Sequence, residues 1–112
     1  MKISATSPEF ASLLSLKPGW NSYKAKAINP ACVNAAVDLS GKLPPHLKKP
    51  HVVPLVTGGV QLEWHTGSYE LEITFGDKVY FWFCKAKRET EGYLPEDFNL
   101  LLGCLDQKSD VA

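Results

Sequence analysis

The chain has 112 residues, 45% of them hydrophobic and 21% charged, the balance of one folded domain near the lower size that can bury a proper core. Twelve basic and twelve acidic side chains cancel, whereas a chain that works by gripping a nucleic-acid backbone carries a basic excess, so direct nucleic-acid binding is excluded as the leading function. No segment reaches the roughly 18–20 apolar residues of a membrane span, and the start, Met1-Lys2-Ile3-Ser4, has no apolar leader core, so a cytoplasmic protein without membrane contact is expected.

In chain order, Ser7-Pro8-Glu9 has the cap hydroxyl, first-turn proline and acid of a helix start, and predicts a helix over about residues 8–16. Trp20 and Tyr23 lie in the aperiodic connector that follows, as an aromatic plug. Asn29-Pro30 opens a second helix over about 30–43, with Ile28 and Val33 spaced for a hydrophobic staple and Pro44-Pro45 as its stop. Strands are predicted over about 52–56, 60–65, 68–75 and 78–85, with hairpin turns at Gly58-Gly59, Thr66-Gly67 and Gly76-Asp77. Pro54 places the first strand at an edge. Residues 86–92 read as a polar loop, and Pro95-Glu96-Asp97 opens a last helix over about 95–105. The expected fold is a single α+β domain: a four-stranded antiparallel β-meander with two N-terminal helices and one C-terminal helix packed on it.

The turn lengths set an expected register. A two-residue Thr66-Gly67 turn pairs Trp64 with Tyr69, Leu62 with Leu71 and Val60 with Ile73 on the core side. It leaves Glu63 opposite Glu70, Gln61 opposite Glu72 and His65 opposite Ser68 on the other side. Like charges placed directly opposite cost stability, so folding alone does not account for that pair. A two-residue Gly76-Asp77 turn sends Tyr80, Trp82 and Cys84 to the core and Phe81 and Phe83 to the outer face; a longer turn swaps the sets. Either way the fourth strand is apolar on both sides, which an antiparallel strand with one wet face should not be. Its second side calls for cover by a helix, the Trp20–Tyr23 loop, a second copy or another protein.

Chemical signatures are sparse. Cys32, Cys84 and Cys104 lie far apart in apolar stretches and read as free thiols. His46, His51 and His65 have no sequence neighbours at ligand spacing, and read as surface histidines. No nucleophile elbow or phosphate loop is present. Glu63, Glu70 and Glu72 are the clustered carboxylates, and a solvated or protein-contacting face accounts for them better than acid–base work. No catalytic residue, metal site or cofactor is expected. The candidate partner-binding residues are Glu63, Glu70, Glu72, Gln61, His65, Phe81, Phe83, Trp20 and Tyr23.

The segments Gly19-Trp20-Asn21-Ser22-Tyr23, Ala25-Lys26-Ala27-Ile28-Asn29-Pro30, His51-Val52-Val53-Pro54 and Gly58-Gly59-Val60-Gln61-Leu62-Glu63-Trp64-His65, with Leu71-Glu72-Ile73, form a pattern over about residues 13–75. In this pattern the chain resembles a family of small proteins of bacterial and phage genomes to which no activity is attached. Lys24 and Ala27 stand where similar proteins have glycine and proline. The resemblance implies a shared fold and a bacterial or phage setting. The expected function is a non-enzymatic interaction module, an inhibitor or accessory of a nucleic-acid-handling or defence system (anti-defence, anti-CRISPR-like or antitoxin-like). Its partner would be another protein, itself basic or nucleic-acid-binding, with a second copy of the chain as a further candidate. The competing expectations are a small metal-dependent hydrolase using the clustered glutamates and a purely structural homo-oligomer.

Overall fold

Alternation of apolar and polar residues between His51 and Leu94 produces five strands, one more than the turn signals suggest. The computed structural model describes residues 12–21 and 24–106. Its strands are β1 (His51–Pro54), β2 (Val60–His65), β3 (Glu70–Phe75), β4 (Val79–Lys85) and β5 (Arg88–Leu94), and its helices are α1 (Pro30–Ser40) and α2 (Phe98–Cys104). The strands pair antiparallel in chain order, β1-β2-β3-β4-β5, so the α+β meander is as expected and Pro54 lies on an edge strand. The start of the expected first helix, and Tyr23, lie outside the described residues; residues 12–14 are helical and bury Leu13.

Three departures from the expected elements have local causes. The stretch read as a polar loop is β5, joined to β4 by a two-residue turn in which Ala86 and Lys87 both have positive φ, 52° and 65°. That backbone fits the right-handed strand twist but normally recruits Asn or Gly, and here it carries neither. Helix α1 stops at Ser40, three residues early: Gly41 N–H makes the last i→i−4 bond, to Val37 O, and the chain then tightens to an i→i−3 bond, Lys42 N–H to Leu39 O, ahead of Pro44-Pro45. Helix α2 begins at Phe98 instead of Pro95: residues 95–97 form a turn, with Asp97 N–H donating to Tyr93 O at 2.7 Å and the Asp97 carboxylate accepting from Tyr93 N–H at 2.8 Å.

Turn length then decides the register. The β2–β3 connection has four residues because Thr66 closes it, its hydroxyl accepting from Ser68 N–H and Tyr69 N–H and donating to Tyr69 O. Glu63 therefore faces Glu72, Trp64 faces Leu71 and His65 faces Glu70. This is two residues off the expected pairing, and a shift of two leaves every side chain on its expected face. The β3–β4 connection has three residues, 76–78, so Phe75 pairs with Val79. That shift of one exchanges the faces of β4: Phe81 and Phe83 go into the core at 0% and 5% exposure, and Tyr80, Trp82 and Cys84 go to the outer side.

One side of the sheet carries the core. Helix α1, capped by the Asn29 side chain accepting from Ala31 N–H at 2.9 Å, packs Val33 and Ala36 over β2 and β3, while α2 sets Leu101 against β5. Leu62, Leu71, Ile73, Phe75 and Phe81 are fully buried beneath them in one continuous cluster. The residue 24–29 connector is stitched to the β1–β2 loop by Lys26 N–H to Val56 O and Asn29 N–H to Gly58 O. Gly59 is required there, since a Cβ on it would sit 2.4 Å from Phe75 O. No helix among the described residues is long and apolar enough to cross a membrane.

Candidate functional site

Strand alternation sends one side chain in two away from the helices, and these residues form three rows across the sheet. Register places His51, Glu63, Glu72, Trp82 and Glu91 in the middle row, His65, Glu70, Cys84 and Glu89 on one side, and Val53, Gln61, Thr74, Tyr80 and Tyr93 on the other. None of the described helices packs on this side, and Tyr80 and Tyr93 are 46% and 54% exposed. The second apolar side of β4 thus meets an open, mixed aromatic and acidic surface. Five carboxylates, those of Glu63, Glu70, Glu72, Glu89 and Glu91, share it.

The predicted residues divide cleanly. Glu63, Glu70, Glu72, Gln61 and His65 lie together on this face. Phe81 and Phe83 do not; they are core residues, displaced inward by the third residue of the β3–β4 turn. Trp20 is half-buried against the core, its Nε1–H donating to Lys26 O at 2.7 Å, so it closes the connector instead of joining the face. Sequence reasoning missed Tyr80, Trp82, Tyr93, Glu89 and Glu91. The signal that could have found them is the alternation Glu89, Glu91, Tyr93 against Thr90, Gly92, Leu94, a half-buried strand pattern hidden by its polar composition.

The face has internal order at its β2 end. Gln61 Nε2–H donates to Glu63 Oε2 at 2.6 Å, and Thr74 Oγ1–H donates to Gln61 Oε1 at 3.0 Å. His65 Nε2 lies 3.1 Å from Glu63 Oε1 and its Nδ1 3.6 Å from Glu70 Oε1. His65 is therefore not the isolated surface histidine that its sequence neighbours suggest. The hydrogen bond that His65 donates to the Glu63 carboxylate, helped by Glu70, holds the imidazole above the ordinary histidine range. The same bond, together with that from Gln61, outweighs desolvation and holds the Glu63 carboxyl below the ordinary glutamate range. Ligand atoms of Glu63, His65 and Glu72 lie within 4.8 Å of one another, a nitrogen–oxygen donor set of the kind a divalent cation can use.

This set stands in the open. A cleft of about 630 Å³ lies at the other end of the sheet, lined by Asp77, Lys78, Tyr93 and Asp97, and one of about 310 Å³ lies under the 40–50 loop beside Trp64. Neither includes Glu63, Glu70 or Glu72, so these carboxylates lie on the sheet surface outside both clefts, Glu70 exposed and Glu63 and Glu72 half-buried. At the β4–β5 end, Trp82 Nε1–H donates to Glu89 Oε1 at 2.8 Å, and Tyr80 and Tyr93 meet edge-on at 6.3 Å. Comparison with protein-family models, with curated proteins and with solved structures gives no match, so the reading of this face rests on its own residues.

Proposed function

We propose that the protein is a non-enzymatic interaction module whose outer sheet face docks a basic partner protein. The supporting observation is charge segregation: the chain is neutral overall, yet five carboxylates share with three aromatic rings one sheet face on which none of the described helices packs. Such a face costs stability and serves electrostatic recognition, because complementary fields raise association rates and fix orientation. In the bacterial or phage setting that the resemblance implies, the fitting partner is a nucleic-acid-handling or defence protein. The strand-spaced carboxylates would then occupy a groove built for phosphates, in the manner of an anti-defence inhibitor or an antitoxin. Capture from cells that produce the chain tests this reading, with the unaltered protein compared against a Glu63→Lys/Glu70→Lys variant of unchanged fold. Partners should be lost with the charge reversal and released by salt near 0.5 M; a partner set that survives both overturns the proposal.

A metal-dependent hydrolase is the second reading, and the Glu63, His65 and Glu72 donor set favours it. Calorimetric titration with Mn²⁺ and Zn²⁺ separates the two. Binding that Glu72→Gln abolishes supports the metal reading, and no heat up to millimolar metal removes it.

A further inference from the structure

We propose that the centre of the outer face binds an arginine side chain of the partner, stacked on the Trp82 indole between Glu72 and Glu91; this rests on the acidic-face reading and specifies what the partner must present. Trp82 is in register with Glu72 on β3 and with Glu91 on β5. Adjacent strands lie about 4.8 Å apart, so Glu72 and Glu91 occupy the positions that flank Trp82 on either side, on strands about 10 Å apart. Glu89 takes the Nε1–H at 2.8 Å and ties the ring edge toward β5. Tyr80 and Tyr93 bound the patch one register pair further along.

That arrangement selects a cation by exclusion and by fit. An anion meets five carboxylates. A purely apolar group would strip water from Glu72 and Glu91 without replacing its hydrogen bonds. A guanidinium stacks flat on an indole and still offers in-plane N–H donors to carboxylates at its edges, which a strongly hydrated ammonium does less well. The face already attracts a cation to a ring, since Lys78 Nζ lies 5.7 Å over Tyr93. The arginine must come from another molecule. The chain's single arginine, Arg88, pairs with Lys85 at the hairpin tip, on the alternation that faces away from this side.

The three indole N–H groups provide the assay, because Trp20 and Trp64 donate to backbone carbonyls of Lys26 and Lys48, away from the proposed contact, and serve as internal controls. The full chain is titrated in low salt with a capped peptide of alternating glycine and arginine and, separately, with its lysine counterpart, following indole N–H resonances. The Trp82 signal should move and saturate while the other two stay still, with the arginine peptide binding about three- to tenfold more tightly than the lysine one. Trp82→Leu should remove that preference, and Glu72→Gln/Glu91→Gln should weaken both peptides. Equal affinity for the two peptides, or an arginine preference that survives Trp82→Leu, overturns the stacking site while leaving the acidic face standing. Absence of binding by either peptide overturns both.

Discussion

Glu72→Lys is the substitution that separates the folding role of the outer face from the recognition role proposed for it. Glu72 stands directly opposite Glu63 across the β2–β3 ladder, in the interior of the sheet. A like-charged cross-strand pair is destabilising, and an opposite-charged one contributes about 0.2–1 kcal/mol relative to a neutral pair. Reversing one charge removes the first term and adds the second. Part of the gain is absent because Gln61 and His65 already serve the Glu63 carboxylate, so the net expectation is about 0.3–1 kcal/mol of added stability. For a 112-residue chain that corresponds to a rise in Tm of about 1–4 °C, since unfolding entropy scales with length. Thermal and urea unfolding at pH 7 in 20 mM salt measure it. The increment should shrink in 0.5 M salt, where the Debye length falls to about 4 Å. The same variant should bind a basic partner more weakly. A Glu72→Lys protein less stable than its parent in low salt, at an unchanged m-value, would refute the argument that this face carries charges that folding does not want.

Three further outcomes follow from the geometry. Phe81→Ala should cost about 3–5 kcal/mol, as truncation of a fully buried ring does, while Trp82→Ala, one residue along on the outer side, should cost under about 1.5 kcal/mol; equal losses in urea unfolding would reject the three-residue β3–β4 register. In NMR titration His65 should take up its proton above about pH 6.5, the unperturbed value, and Glu63→Gln should bring it down. The sign follows from both partners: the raised His65 value gives stability that is lost as pH rises through it, and the lowered Glu63 value gives stability that is lost as pH falls through it. The pair thus supports the fold between the acid side of the glutamate range and the alkaline side of the histidine range. Ala86→Asn/Lys87→Gly should stabilise by about 1 kcal/mol, because both positions hold positive φ without a residue suited to it. A lower denaturation midpoint for that variant would contradict the type of turn assigned to the β4–β5 hairpin.

The class of fold was legible because its signals are local. Period-two alternation from Val60 to Phe75, proline on β1 and the Asn29-Pro30 cap each act through nearest neighbours. What escaped depends on turn length. The Thr66 hydroxyl draws Ser68 and Tyr69 into its turn, two added residues that change no face, so the acidic half of the candidate site is legible despite the different pairing. Lys78 adds one residue to the next turn, and Phe81 and Phe83 exchange places with Tyr80 and Trp82. No composition rule distinguishes a Gly76-Asp77 turn from a Gly76-Asp77-Lys78 turn; burying two phenylalanines and leaving a tyrosine and a tryptophan half wet does, and that is a property of packing. Strand β5 was hidden for another reason. Its turn has no Gly or Asn to announce it, and its outward residues are glutamates, which β-propensity disfavours.

The strictly sequential strand order has an evolutionary corollary. Every residue of the outer face falls within one uninterrupted stretch, from His51 to Tyr93, at positions that alternate with those specifying the interior. Outer-face chemistry and foldability therefore occupy interleaved positions of a single segment. A lineage can rewrite one set while the other stays constant, and recombination of a short piece of DNA can transplant the entire face at once.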